Sequence, residues 1–124
     1  MVNHKLMLYP QEVELHYILP ALRRELTDEL KAMGFEQKEI ARLLKVSEPA
    51  ISQYVQNKRA QDVKFPKTMR VELKNSAKRL AANGDLLKET QLLLGLSLKE
   101  RVTCVMHCKL ADIEPDCGVC FEHA

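Results

Sequence analysis

Apolar residues between Gln11 and Met33 fall largely on helical spacing: Val13, Leu15, Tyr17, Ile18, Leu19, Leu22, Leu26, Leu30 and Met33. Residues three and four apart share one face of a helix, so the run predicts an amphipathic helical segment. Proline fits the first turn of a helix and little else, so Pro20 predicts a short helix, a break, and a second helix. Gly34 is placed to cap that second helix at its carboxy end. Two short helices follow, Gln37 to Leu44 and Glu48 to Gln56. Ser47 is suited to be the N-cap of the latter, with Pro49 in its first turn.

Beyond the basic loop Asn57-Lys58-Arg59 and Phe65-Pro66, the pattern predicts a helix with Met69, Leu73, Ala77, Leu80 and Ala81 inward. Lys67, Arg70, Lys74, Lys78 and Arg79 fall largely on its outer side, and Asn83-Gly84 stops it. Asp85 then caps a leucine-rich helix carrying Leu86, Leu87, Leu92, Leu93 and Leu94. Gly95-Leu96-Ser97 is expected to interrupt it, with a further turn or two from Leu98 into Cys104. No stretch has the alternation of a strand, and there is no internal repeat. The expected fold class is all-α: a helix-turn-helix unit over residues 1–65, a helical dimerisation segment over 66–103 and a cysteine-rich tail over 104–124.

Within Gln37 to Gln56, the positions that hold two helices at a steep angle are Ile40, Leu44, Val46, Ile51 and Tyr54, all apolar or aromatic. Ala41 stands where a larger side chain would force the helices apart. The run from Ile40 to Ser47 (Ile40-Ala41-Arg42-Leu43-Leu44-Lys45-Val46-Ser47), followed by Ala50-Ile51-Ser52-Gln53-Tyr54-Val55 and Lys58-Arg59, resembles the XRE-like DNA-binding domain of the Cro and phage-repressor type. One departure is Lys45, which stands where that type has a glycine with positive φ; a side chain there costs about 1 kcal/mol without forbidding the turn. Leu19-Pro20-Ala21-Leu22-Arg23, Ser52-Gln53-Tyr54, Lys58-Arg59 and a cysteine-rich tail with His123 extend the likeness. Together they are similar to predicted transcription regulators of archaea and some anaerobic bacteria.

The resemblance implies sequence-specific binding of double-stranded DNA, with the second helix of the pair in the major groove. Glu48, Ala50, Ser52 and Gln53 are then the candidates for base edges: Gln53 for adenine, Ala50 for a thymine methyl, Glu48 for cytosine. Gln37, Ser47, Lys58 and Arg59 are the remaining candidates at the DNA interface, with Gln37, Lys58 and Arg59 placed for phosphates. A helix this short implies a homodimer on an inverted repeat, paired through Leu86 to Leu98.

Charge changes the picture only through its distribution. The formal net charge is +2, yet residues 66–102 hold eight Lys and Arg against four Asp and Glu, whereas residues 103–124 hold one against four. No apolar run approaches the roughly 20 residues that span a bilayer, and no signal-peptide core opens the chain, so a cytoplasmic protein is expected.

Cysteine usage adds the candidate chemistry. Cys104, Cys108, Cys117 and Cys120 lie within 17 residues. In a reducing compartment two such pairs point to metal ligation rather than disulfides. Cys104 and Cys108, four apart, share a face if the segment is helical, and Gly118 lets backbone amides turn toward a bound sulfur. The eight-residue gap between the pairs is short for structural zinc, so the preferred cofactor is an iron-sulfur cluster, of two or four irons, with zinc the alternative. His107 and His123 are alternative ligands, but each is read as exposed. No other titratable constellation accompanies the cysteines, which argues against an enzyme. A regulator sensing redox, oxygen, iron or sulfur status is the leading function; a zinc-stabilised DNA-binding or protein-adaptor module without sensing is the alternative.

Overall fold

The computed structural model describes residues 9–56, 63–114 and 117–121, and among these every regular element is helical. The chain enters through helix α1 (Pro10–Val13), a π-helical turn (Glu14–Ile18) and helix α2 (Leu19–Ala32), which run on without interruption. The expected break at Pro20 does not occur. Proline lacks an N–H and its ring crowds the carbonyl four residues back, and the helix just before it is widened into a π turn, with the Leu19 amide on Glu14 O five residues back. Gly34 ends α2 as expected: its φ is +97°, and the Phe35 amide returns to Leu30 O at 3.2 Å.

Helices α3 (Gln37–Leu44) and α4 (Glu48–Val55) follow, then α5 (Lys67–Ala81), α6 (Leu86–Lys99), α7 (Val102–Ala111) and a 3₁₀ turn (Val119–Phe121). Asn83, at φ +65°, closes α5 with the Gly84 amide on Arg79 O at 2.7 Å. The Asp85 carboxylate accepts from the Leu87 and Lys88 amides and so opens α6. Gly95 does not break α6. Leu93 and Ser97, both fully buried, anchor the helix on either side of it. The turn comes six residues later at Arg101, which takes φ +62°. A 2.8 Å hydrogen bond between the buried hydroxyls of Ser97 and Thr103 ties the end of α6 to the start of α7.

One hydrophobic cluster joins these helices. It includes Leu22, Leu26 and Leu30 of α2, Ile40 and Leu44 of α3, Ile51 and Tyr54 of α4, Met69 and Leu73 of α5, Leu93 of α6 and Met106 of α7. A leucine taken fully out of water contributes about 1.5–3 kcal/mol, so this cluster is what holds α2 at the centre with α3, α4 and α5 around it. Ala81, expected inward, is only half-buried, while Ser76 is fully buried in the α5 face. Helix α7 packs on α1 and α6, which brings the cysteine-bearing helix back to the amino-terminal one. A cavity of about 90 Å³ lies where Leu22 and Leu26 of α2, Leu44 of α3 and Leu93 of α6 meet. Among the described residues no helix is long and apolar enough to cross a membrane.

Candidate functional site

Helices α3 and α4 form a tight bihelical unit. Glu36 and Glu39 make a reciprocal capping box at the start of α3, and the Ser47 hydroxyl accepts from the Ala50 amide at 3.3 Å to open α4. The turn between them rests on Lys45, with φ +54° and ψ +44°. This is the left-handed conformation for which glycine is the usual residue. The reason it is held is visible in the burial around it: Ile40, Leu44, Ile51 and Tyr54 are 0–3% exposed and Ala41 is 6% exposed. Val46, also expected as a packing residue, is half-buried against the same cluster, with its amide on Ala41 O at 3.0 Å.

What that packing leaves outside is the candidate interface. Glu48 and Gln53 are exposed, and Ala50 and Ser52 are half-buried along α4. The Ser52 hydroxyl already accepts from Gln56 Nε2 at 3.4 Å. Ser47 is exposed but spends its side chain on the cap, and Gln37 is half-buried at the start of α3. Lys58 and Arg59 lie outside the described residues. Three further basic side chains of the unit, Lys38, Arg42 and Lys45, are exposed, and none of them was among the residues expected at the DNA interface. Their charge alone gave no signal, since exposed lysine and arginine are ordinary on a protein surface.

The second candidate lies at the other end of the chain. Cys104 and Cys108 are buried on α7, and Cys117 and Cys120 are half-buried in the segment that folds back toward it. Cys104 Sγ lies 3.8 Å from Cys117 O, and Cys108 Sγ donates to Glu114 O at 3.4 Å. Between the two pairs stands Arg101, whose Nη2 is 3.1 Å from Cys104 Sγ and donates to Cys117 O at 2.6 Å. Arg101 is a site residue with no sequence signal, because an arginine at a left-handed helix junction cannot be anticipated from its type.

The thiols feel one another. Burial pushes the Cys108 thiol up, and the charges of Cys104 and Cys117 and a hydrogen bond with Cys104 push it further, against the Arg101 guanidinium. Burial also raises Cys120, reinforced by Cys104, Cys117 and Glu14, with Arg101 again opposing. A cation placed beside Cys108 and Cys120 would favour their thiolate forms, as any nearby positive charge does. All four are free of disulfides. Their geometry is not that of a closed coordination shell: among the described residues no three Cys, His, Asp or Glu side chains converge on one metal-sized point. His107, expected to be exposed, is 7% exposed and partnered within the protein, because α7 turns that face inward against α1 and α6. His123 lies outside the described residues.

Comparison with protein-family models, with curated proteins and with solved structures found no match to this chain.

Proposed function

We propose that the protein is a sequence-specific DNA-binding transcription regulator of the XRE-like helix-turn-helix kind, whose four-cysteine tail binds an iron-sulfur cluster and senses redox, oxygen, iron or sulfur status. The observation that carries the DNA-binding half is the left-handed Lys45 between α3 and α4. A non-glycine residue in that conformation costs about 1–2 kcal/mol, and Lys45 adopts it at the position where the resembled helix-turn-helix type has a glycine with positive φ. Buried Ile40, Ala41, Leu44, Ile51 and Tyr54 fix the pair, and α4 is left with Glu48, Ala50, Ser52 and Gln53 toward solvent or partly so. In the proposed complex these meet base edges, Gln37 and Ser47 border the phosphates, and Lys58 and Arg59 reach the backbone beyond α4.

Cys104, Cys108, Cys117 and Cys120 would hold the cluster, which when bound supplies a centre that responds to oxidants and to iron supply. Arg101 would set its positive charge against that anionic ligand shell. Zinc on the same thiolates is the alternative. The exposed Leu87 and Leu92 and the half-buried Leu94 and Leu98 on α6 are the proposed homodimer contact.

Two measurements test the proposal. In selection from random duplexes, the full chain is expected to enrich an inverted repeat. Gln53→Ala should relax preference at one base pair by about 1–3 kcal/mol. Enrichment of no sequence would refute specific recognition. Protein prepared without oxygen should carry iron and sulfide and absorb in the visible, and Cys→Ser at any of the four positions should strip both. Stoichiometric zinc without sulfide would replace the cluster with the structural alternative.

A further inference from the structure

Helix α5 carries more positive charge on one side than its own stability favours. Lys67, Arg70, Lys74 and Lys78 are all exposed, and their offsets of three, seven and eleven residues from Lys67 place them in one stripe, with exposed Val71 beside it. Arg70 with Lys74, and Lys74 with Lys78, are like charges four apart, which repel across one helical turn. Lys67 opens the helix at its positive dipole end, and the first turn holds no acidic residue. Compensation among the described residues is slight. Glu25 of α2 pairs with Arg70 at 3.4 Å, whereas Glu72 lies on another side of α5, 3.8 Å from Arg79. Met69, Leu73, Ala77 and Leu80 bury the core face of α5, so packing does not require the stripe to be cationic.

From this surplus we infer that the α5 stripe is a second DNA-contacting surface, which binds the phosphate backbone without reading sequence. The inference rests on the DNA-binding reading of α4 and adds a separate surface to it. The stripe runs about 16 Å from Lys67 to Lys78, a length over which duplex DNA presents roughly nine phosphate charges. A linear array of cations matches such a polyanion and would release its counterions. Lys64, two residues ahead of Pro66 at the start of α5, is exposed as well.

The test is binding of the full chain to a random duplex by fluorescence anisotropy across a salt series. It compares the wild type with a Lys67→Gln, Lys74→Gln, Lys78→Gln triple variant and with a triple Lys→Arg variant. Arg70 is left in place because it holds Glu25. The glutamine variant should melt no lower than the wild type, since repulsion within α5 is relieved. Its salt slope should fall by about 2–3, with affinity down on the order of a hundredfold at about 0.1 M salt. The arginine variant should keep both. An unchanged slope in the glutamine variant overturns the stripe, whatever α4 does. A glutamine variant that keeps the slope but loses self-association in sedimentation also overturns it, since the stripe would then seat an acidic segment of a second copy. Gln53→Ala reads α4 separately: it should leave the salt slope intact, and its failure to alter sequence preference would overturn the α4 reading while leaving the stripe standing.

Discussion

Lys45 shows how one backbone angle ties stability to the candidate interface. Held at φ +54°, it carries the steric cost of a side chain in the left-handed region, and its exposed ammonium is not needed by the core. Lys45→Gly should relieve about 1–2 kcal/mol of strain, and glycine's greater freedom in the unfolded chain takes back about half of that. The expected net gain is about 0.5–1 kcal/mol in chemical denaturation, and a loss of stability would contradict the strain. Two glycines respond to alanine with opposite signs. At Gly84 a Cβ would stand 2.6 Å from the Arg79 carbonyl oxygen, which is backbone and cannot swing away, so Gly84→Ala should cost about 1–3 kcal/mol. At Gly95, inside α6, a Cβ meets nothing within 4 Å, so Gly95→Ala should add about 0.5–1 kcal/mol.

Helices α5 and α6 are joined by a polar device as well as by packing. Glu89, 4% exposed, accepts from Ser76 Oγ at 2.8 Å and from Arg79 Nε and Nη2 at 2.9 Å each. The hydrogen bonds from Arg79 hold the Glu89 carboxyl below the usual range, helped by Ser76 and by the charges of Arg79 and Lys88, against burial that pushes it up. A carboxyl lowered in the folded state contributes stability that is fully present above its unfolded value, about 4.3, and is lost as pH falls from there through the folded value. The wild type should therefore lose stability in acid faster than Glu89→Gln, and thermal melts from pH 7 to pH 3 would show their difference shrinking as pH drops. Glu14 and Asp28, raised chiefly by burial, act in the opposite sense but are common to both proteins and cancel in the comparison. A difference independent of pH would rule out the ionised pair.

At the scale of the molecule, the helical pair and the cysteine helix share one hydrophobic cluster, with α6 between them. Leu93 is fully buried and borders the same cavity as Leu44 of α3 and Leu22 and Leu26 of α2. Leu93→Ala should cost about 2–5 kcal/mol and keep a single unfolding transition, because enlarging that cavity weakens contacts made by α2, α3 and α6 together. Two separated transitions, with only one shifted, would show that residues 66–103 fold independently. The shared cluster also supplies a physical route for the proposed sensing. A cofactor on Cys104 and Cys108 would act on α7, which packs on α1 and α6, and both of these lead to α2 beneath α3 and α4. A coupling of the usual 1–3 kcal/mol would alter operator affinity about 5- to 150-fold on loss of the cofactor.

The all-helical class, the caps at Ser47 and Asp85, the stops at Gly34 and Asn83-Gly84, and the packing residues of α3 and α4 were legible in the sequence, because each depends on spacing or local backbone chemistry. The left-handed turn at Lys45 was expected only through the resemblance to the Cro and phage-repressor type, whose glycine it replaces, and φ there is +54°. Other features were decided only by tertiary structure. Pro20 stays inside a helix that widens into a π turn just before it, and Gly95 does because Leu93 and Ser97 are buried around it. The corner comes instead at Arg101, held by hydrogen bonds to Cys104 and Cys117 that lie 3 and 16 residues along the chain. Local sequence carries propensities of about 1 kcal/mol per residue, while buried side chains and long-range hydrogen bonds carry several together, and where the two compete the packing wins.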